Sequence, residues 1–296
     1  MLAPRVAPPL ARLPAACPRW GRGWCAAAAC LLEAAAPKPG NVHPGADAPD
    51  LSHEELVAAA LAIVPALERA VVTPLGRTVR EAVEASRRVT RSNANLGIIL
   101  ALAPLATATA PDAAGAADVL ARLGPADAAD VWAAIPRARP GGLGTSPAWD
   151  VGGPAPADIL VAMRLAAPRD RIAALWADGY AGLAGLAADL EADIAAQADV
   201  GRGIVRAFLR ELARVPDSLV ARRHGPEVAA RVSAWAAEVL AAGASWPEAA
   251  AALDRRLRAP VRINPGTTAD LVAAALYILL RDPSRRPPFE AACAEP

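Results

Sequence analysis

Lysine is almost absent from this chain. Of its 31 Lys and Arg residues only Lys38 is a lysine, and asparagine is nearly as scarce, with Asn41, Asn93, Asn95 and Asn264 alone in 296 residues. Four cysteines, Cys17, Cys25, Cys30 and Cys293, have no CxxC or Cys/His spacing, which excludes a zinc ribbon; they read as reduced thiols of a cytoplasmic protein. The net charge of +1 gives no bulk attraction to nucleic acid or to an acidic membrane, so neither is expected as a partner and any anion site must be local. The most apolar stretch, "NLGIILALAPLA" at 95–106, is too short to span a bilayer and contains Pro104, so it reads as a buried helix. P-loop, GxGxxG and GxSxG motifs are missing too, which disfavours the familiar nucleotide-binding and hydrolase classes.

What is abundant is alanine. The chain is 54% hydrophobic with only 4% aromatics, and alanine favours helices over strands, so an all-α fold with close, small-residue contacts follows. About a dozen helices are predicted in one domain over 23–281, with tails at 1–22 and 282–296. Ser52 and Glu55 form a capping box ahead of apolar residues at helical spacing through Val71. Further helices are placed at 23–36, 74–91, 95–110, 112–123, 126–136, 155–166, 169–196 with a break, 199–214, from Pro226, 246–258, and from Thr267, where Asp270 stands in capping-box spacing. No stretch alternates as a strand does. A Gly/Pro-dense segment at 139–156 reads as a functional loop between helices.

The scarce residues gather in three short segments, "PKPGNVH" (37–43), "RSNANLG" (91–97) and "RINPGTTAD" (262–270). Lysine offers a compact point charge where arginine offers a planar fork, so Lys38, held in a Pro/Gly turn beside Asn41 and His43, is a candidate phosphate contact. Asn93 and Asn95 precede the buried helix, whose start presents free N–H groups, and Gly97 permits close approach of a ligand or backbone. Asn264 stands in the third segment.

Most of the acids are solvated helix faces, but Asp47, Asp50, Asp150, Asp217 and Asp270 lie in loops or at helix starts. Such carboxylates can hold Mg²⁺ together with substrate phosphates. Asp47, Asp50 and Asp150 are the metal candidates.

"LLEAAAPKPGNVH", "SNANLGIILALAPLA", "PDSLVARRHG" and "NPGTTADLVAAAL", in this order, resemble the triphosphoribosyl-dephospho-CoA synthase family over residues 24–281. The "PKPG" block with Glu33 before it is the most specific part. The resemblance implies an all-helical enzyme that takes ATP as substrate and a triphosphoribosyl donor. The 2′-hydroxyl of dephospho-CoA attacks the anomeric carbon of the ATP ribose and adenine leaves, giving the precursor of a lyase prosthetic group. It also implies Mg²⁺, cations for the triphosphate from Lys38, Arg222 and Arg223, and a carboxylate, Asp217 or Asp270, beside the oxocarbenium-like ribose. Asn41 and Asn95 are candidates for sugar or base contacts.

The family typically reads Asn-Thr-His-Lys-Gly where this chain has Asn93-Ala94-Asn95-Leu96-Gly97, without the histidine and lysine. Gly142-Leu143-Gly144 with Asp150 is similar to a subgroup associated with one-carbon carriers of the tetrahydromethanopterin type. Alternative readings are therefore a related transferase in such a pathway, or a helical binding protein without catalysis. A homodimer is compatible with the alanine-rich helix faces.

Overall fold

The computed structural model describes residues 20–139 and 153–282. In chain order the α-helices are α1 (Arg22–Ala35), α2 (His53–Ala62), α3 (Val64–Glu68), α4 (Leu75–Val89), α5 (Leu96–Thr107), α6 (Ala113–Leu120), α7 (Pro125–Ala138), α8 (Ile159–Ala166), α9 (Arg171–Ala177), α10 (Leu183–Gln197), α11 (Val200–Arg214), α12 (Ser218–His224), α13 (Pro226–Ala241), α14 (Trp246–Arg258) and α15 (Gly266–Arg281). Among the described residues there is no sheet, only two isolated bridges within the loop after α1, His43 with Ala46 and Ala48 with Leu51. The fold is all-α, as composition predicts. The predicted tails fall almost wholly outside the described residues, as does most of the 139–156 loop, Asp150 included.

Two helices form the centre. α5 and α15 are buried on nearly every face, α15 through the run Leu271 to Leu280 broken only by half-buried Ile278. The others pack around them, α1, α10 and α11 against α15 and α4 and α6 against α5. Small residues let the backbones close: a Cβ at Gly203 of α11 would sit 2.5 Å from Ile194 Cα of α10.

Pro104 lies inside α5 and has no N–H for the carbonyl of Leu100 four residues back. Trp176 Nε1 (2.9 Å) and Tyr180 Oη (3.2 Å) donate to that carbonyl instead, and Tyr180 Oη also to Ala101 O at 2.9 Å. The break in one helix thus anchors α9 and the turn after it.

Local chemistry sets most helix starts. The Ser52/Glu55 capping box is formed, with Glu55 N donating to Ser52 Oγ at 3.2 Å and Ser52 N to Glu55 Oε2 at 3.1 Å. Asp112, Asp158, Asp170, Asp199 and Asp217 cap α6, α8, α9, α11 and α12. Two expectations need correction. The helix from Ser52 does not run unbroken to Val71 but divides at Ile63, because Pro65 cannot donate to the ladder. Thr267 and Asp270 do not form a capping box: Pro265 occupies the N-cap of α15 without a side-chain cap, Thr267 Oγ1 accepts from Ser218 Oγ, and Asp270 faces a cavity.

Candidate active site

The segment after α1 turns sharply at Gly40, whose φ of +82° is a left-handed conformation suited to glycine. It is clamped to α14: Gly40 N donates to Asp254 Oδ1 at 2.8 Å, and Arg258 Nη2 to Asn41 O at 2.6 Å. Within this turn Lys38 is fully buried. Its ammonium pairs with Glu33 Oε1 at 2.8 Å and donates to Ala36 O at 3.2 Å and to Glu33 O. Three acceptors are thus arranged around one ammonium, two of them carbonyls at the C-terminal end of α1. A tetrahedral ammonium can meet such a set inside a sealed site, whereas a planar guanidinium is shaped for coplanar acceptors. Lys38 closes the end of a helix and neutralises Glu33.

A cavity of about 580 Å³ opens between α5, α7, α8, α9, α12, the start of α15 and the loop before α2. One side is apolar, with Leu96 and Leu100 of α5, Trp132 and Ile135 of α7, and Ile159 and Met163 of α8. The other carries Arg169, Arg222, Arg223, Arg262, Asp50, Asn93, Asn264 and Asp270, with Arg139 at the end of α7. Arg222 Nη1 pairs with Asp170 Oδ2 at 2.7 Å. Arg223 and Arg262 form no ion pair among the described residues. Arg262 is half-buried with Nε unpartnered, and desolvation, then the charge of Arg258, pushes its pKa down. A desolvated cation with no carboxylate is a strong local attractor for phosphate oxygens.

Asp270 stands one turn into α15, where its carboxylate lies against the start of α5; a Cβ on Gly97 would come within 2.0 Å of Asp270 Oδ2. No hydrogen bond reaches this carboxylate among the described residues. Its pKa is pushed well above the ordinary carboxylate range, first by desolvation and then by the charges of Glu33, Asp217 and Asp170, with Arg222 opposing. That environment makes the ionised carboxylate a stronger base than an ordinary aspartate, as a general base requires.

The other residues singled out from the sequence divide plainly. Asp50, Asn93, Arg222, Arg223 and Asn264 line the cavity with Asp270. Asn93 Oδ1 also accepts from Leu96 N at 3.1 Å. Asn41 is buried behind Asn264 and donates to its Oδ1, leaving its own Oδ1 without a partner. Asn95 is buried, accepts from Ser86 Oγ at 2.6 Å, and has Nδ2 unpartnered. Lys38 and Asp217 do not line the cavity. Asp217 is fully buried and both oxygens are taken, Oδ1 by the N–H groups of Leu219 and Val220 and Oδ2 by Thr268 N and Oγ1, which ties α12 to α15. His43 is half-buried in the loop, and desolvation lowers its pKa. Asp47 is exposed and accepts from His53 N at 2.9 Å. Arg169, Asp170, Arg262 and Arg139 were missed, because one arginine among thirty carries no signal of scarcity; Arg262 alone had a clue, opening the third asparagine segment.

For Mg²⁺ the donor set is sparse. Among the described residues no three His, Cys, Asp or Glu side chains group to hold a metal, and Asp170 is already committed to its cap and to Arg222. Such a set fits Mg²⁺ only as an ion carried on substrate phosphates and completed by water, with at most one or two carboxylates; of the described metal candidates, Asp50 lines the cavity and Asp47 does not.

A helical body whose cavity joins an arginine rim to a carboxylate without a hydrogen bond among the described residues has the form of an enzyme site suited to a polyphosphate-bearing ligand. The chain belongs to the CitG family, ATP:dephospho-CoA triphosphoribosyl transferase, whose model matches residues 20–287. It is a transferase that moves a triphosphoribosyl group from ATP to dephospho-CoA. Its fold is similar to the crystal structure of a protein from Archaeoglobus fulgidus provisionally named a triphosphoribosyl-dephospho-CoA synthase, with a TM-score of 0.59 and 23% identity, covering 77% of this chain and 100% of that one. No curated protein matches the chain. Among the described residues no helix is long and apolar enough to cross a membrane.

Proposed function

We propose that the arginine-rimmed cavity is where this transfer takes place and that Asp270 is its general base. The observation that carries the reading is the Asp270 carboxylate itself, unbonded and desolvated at the cavity wall beside Gly97.

In this reading Arg222, Arg223 and Arg262 bind the triphosphate, and Asp50 would help hold a Mg²⁺ carried on it, which would supply further charge neutralisation. The apolar wall of Leu100, Trp132, Ile159 and Met163 accepts the adenine of ATP. The 2′-hydroxyl oxygen of dephospho-CoA forms a bond to C1′ of the ATP ribose while the C1′–N9 bond breaks, its electron pair leaving with adenine. The hydroxyl proton passes to Asp270 and finally to the departing base, so adenine leaves neutral. A carboxylate close to the sugar also stabilises the positive charge that develops on the ribose. Lys38 and Asp217 act at one remove, Lys38 by closing α1 and holding Glu33, Asp217 by fixing α12 against α15.

The test is chromatographic detection of adenine from MgATP, with and without dephospho-CoA, for the wild type and for Asp270→Asn. Adenine that depends on dephospho-CoA and is lost in Asp270→Asn is the expected result. Undiminished turnover in a folded Asp270→Asn variant would remove Asp270 from the chemistry. Adenine release that depends instead on a pterin-type acceptor would favour the one-carbon alternative, whose subgroup Gly142-Leu143-Gly144 with Asp150 resembles.

A further inference from the structure

Behind α9 lies a second cavity, of about 500 Å³, bounded by α9, the start of α10, the end of α11 and α12. α9 is a partition between the two spaces: Ile172 and Ala173 face the first, Arg171, Ala174 and Leu175 the second. Arg169 and Asp170, just ahead of α9, line both, so the cavities share a wall at that corner. The second turn of α15 also serves both, with Asp270 on the first cavity and the next residue, Leu271, on the second.

We propose that this second cavity receives the 4′-phosphopantetheine arm of dephospho-CoA. The inference rests on dephospho-CoA being the acceptor. A cavity of 580 Å³ is of the size that holds one compact ligand, roughly 300–1,000 Å³, whereas this reaction brings two nucleotides together. With ATP filling the first space, an acceptor whose 2′-hydroxyl reaches Asp270 must send the rest of its length elsewhere. The adjacent space is the one behind the Arg169–Asp170 corner; reaching it requires the Asp170–Arg222 ion pair at that corner to give way, and Arg169 there supplies a cation beside the diphosphate that joins ribose to arm.

The lining fits that occupant. Ala174, Leu175, Leu183, Leu186 and Leu271 give the second cavity a mainly apolar lining, with Arg171 and Glu211 paired at one side and Asp178 and Ser218 as further polar groups. The triphosphate of ATP is charged along its whole length and has nothing to place there. The pantetheine arm is the long, flexible, mostly uncharged part of either substrate, and an apolar channel with a few polar groups is what such a chain requires.

Two positions allow the cavity to be filled without removing a core residue. Gly182 has a φ of −80°, and a Cβ built on it meets nothing within 4 Å; Ala174 is half-buried on the partition. In Gly182→Phe and Ala174→Phe, KM for dephospho-CoA is expected to rise by about tenfold or more, with KM for ATP unchanged. The binding arm uses 4′-phosphopantetheine alone, titrated calorimetrically into the wild type and both variants, with binding expected in the wild type and lost in the variants. The proposal is overturned if folded variants keep the wild-type KM for dephospho-CoA, if KM for ATP rises instead, or if wild type and variants bind 4′-phosphopantetheine alike or none of them binds it. Failure of the transfer itself is a separate outcome: a wild type that releases no adenine with dephospho-CoA yet binds 4′-phosphopantetheine, and loses it on filling, keeps the subsite and removes the reaction.

Discussion

Gly97 and Asp270 are fitted to each other: a methyl group on Gly97 would lie 2.0 Å from Asp270 Oδ2, well inside contact distance. Gly97→Ala should therefore turn the carboxylate while sparing the helix, since alanine is a good residue for the first turn of α5. A displacement of about 1 Å can cost on the order of a hundredfold in rate. The expected result is a loss of adenine release of that order with a melting temperature close to that of the wild type.

Asp270 also makes a prediction in pH. Because its pKa is raised by burial and by Glu33, Asp217 and Asp170, the ionised form needed as base disappears as pH falls through a value well above the usual carboxylate range. The acid limb of kcat/KM should lie there. For stability the sign is opposite: the native state holds the proton more tightly than the unfolded chain, so stability declines as pH rises from the ordinary Asp range through the raised pKa. Asp270→Asn should abolish turnover, flatten that decline and melt higher at neutral pH.

The buried pair of Lys38 and Glu33 should show strong non-additivity. Lys38→Met leaves a carboxylate buried without its partner, which costs about 3–5 kcal/mol, and Glu33→Leu strands the ammonium. Denaturant titrations of the double variant should show less destabilisation than the sum of the singles. Lys38→Arg should not rescue, because the guanidinium must fit a space closed around an ammonium.

Arg262 is half-buried without an ion pair among the described residues. Its removal costs the fold no salt bridge, only the long Nη2 bond to Gly40 O at 3.4 Å, and takes away a cation proposed to bind the triphosphate. In Arg262→Ala, KM for ATP should rise by about ten- to a hundredfold, with no fall in melting temperature.

At the capped start of α2, Ser52→Ala should cost about 1 kcal/mol of stability and leave kcat/KM unchanged, as measured by denaturant unfolding and adenine release.

How much of this was legible depended on the kind of signal each residue carries. Helix positions were readable because alanine-rich segments with 3.6-residue periodicity leave few other structures open, and because Ser52 and Glu55 mark a start by local hydrogen bonds alone. α12 was not, since seven residues capped by Asp217 are too short to show a period. Scarcity drew attention to Lys38, but only packing reveals that its three acceptors lie within α1 and the turn. Asp217 and Asp270 looked alike in the sequence; the two bonds from Thr268 that complete the satisfaction of Asp217, and the lack of any hydrogen bond to Asp270 among the described residues, are tertiary facts. Of the arginine rim, Arg222 and Arg223 were reached through the family resemblance, while Arg139, Arg169 and Arg262 were hidden by the abundance of arginine itself.

The burial of Lys38 has a practical side. The chain offers an acylating reagent a single side-chain amine, and the fold seals it beneath the end of α1. Modification of that amine must wait for the end of α1 to open, so its rate is a clock for local opening at that corner of the molecule. Bound substrate that braces the corner should slow the clock, and reagent consumed at Lys38 would report this by a mass shift on one peptide.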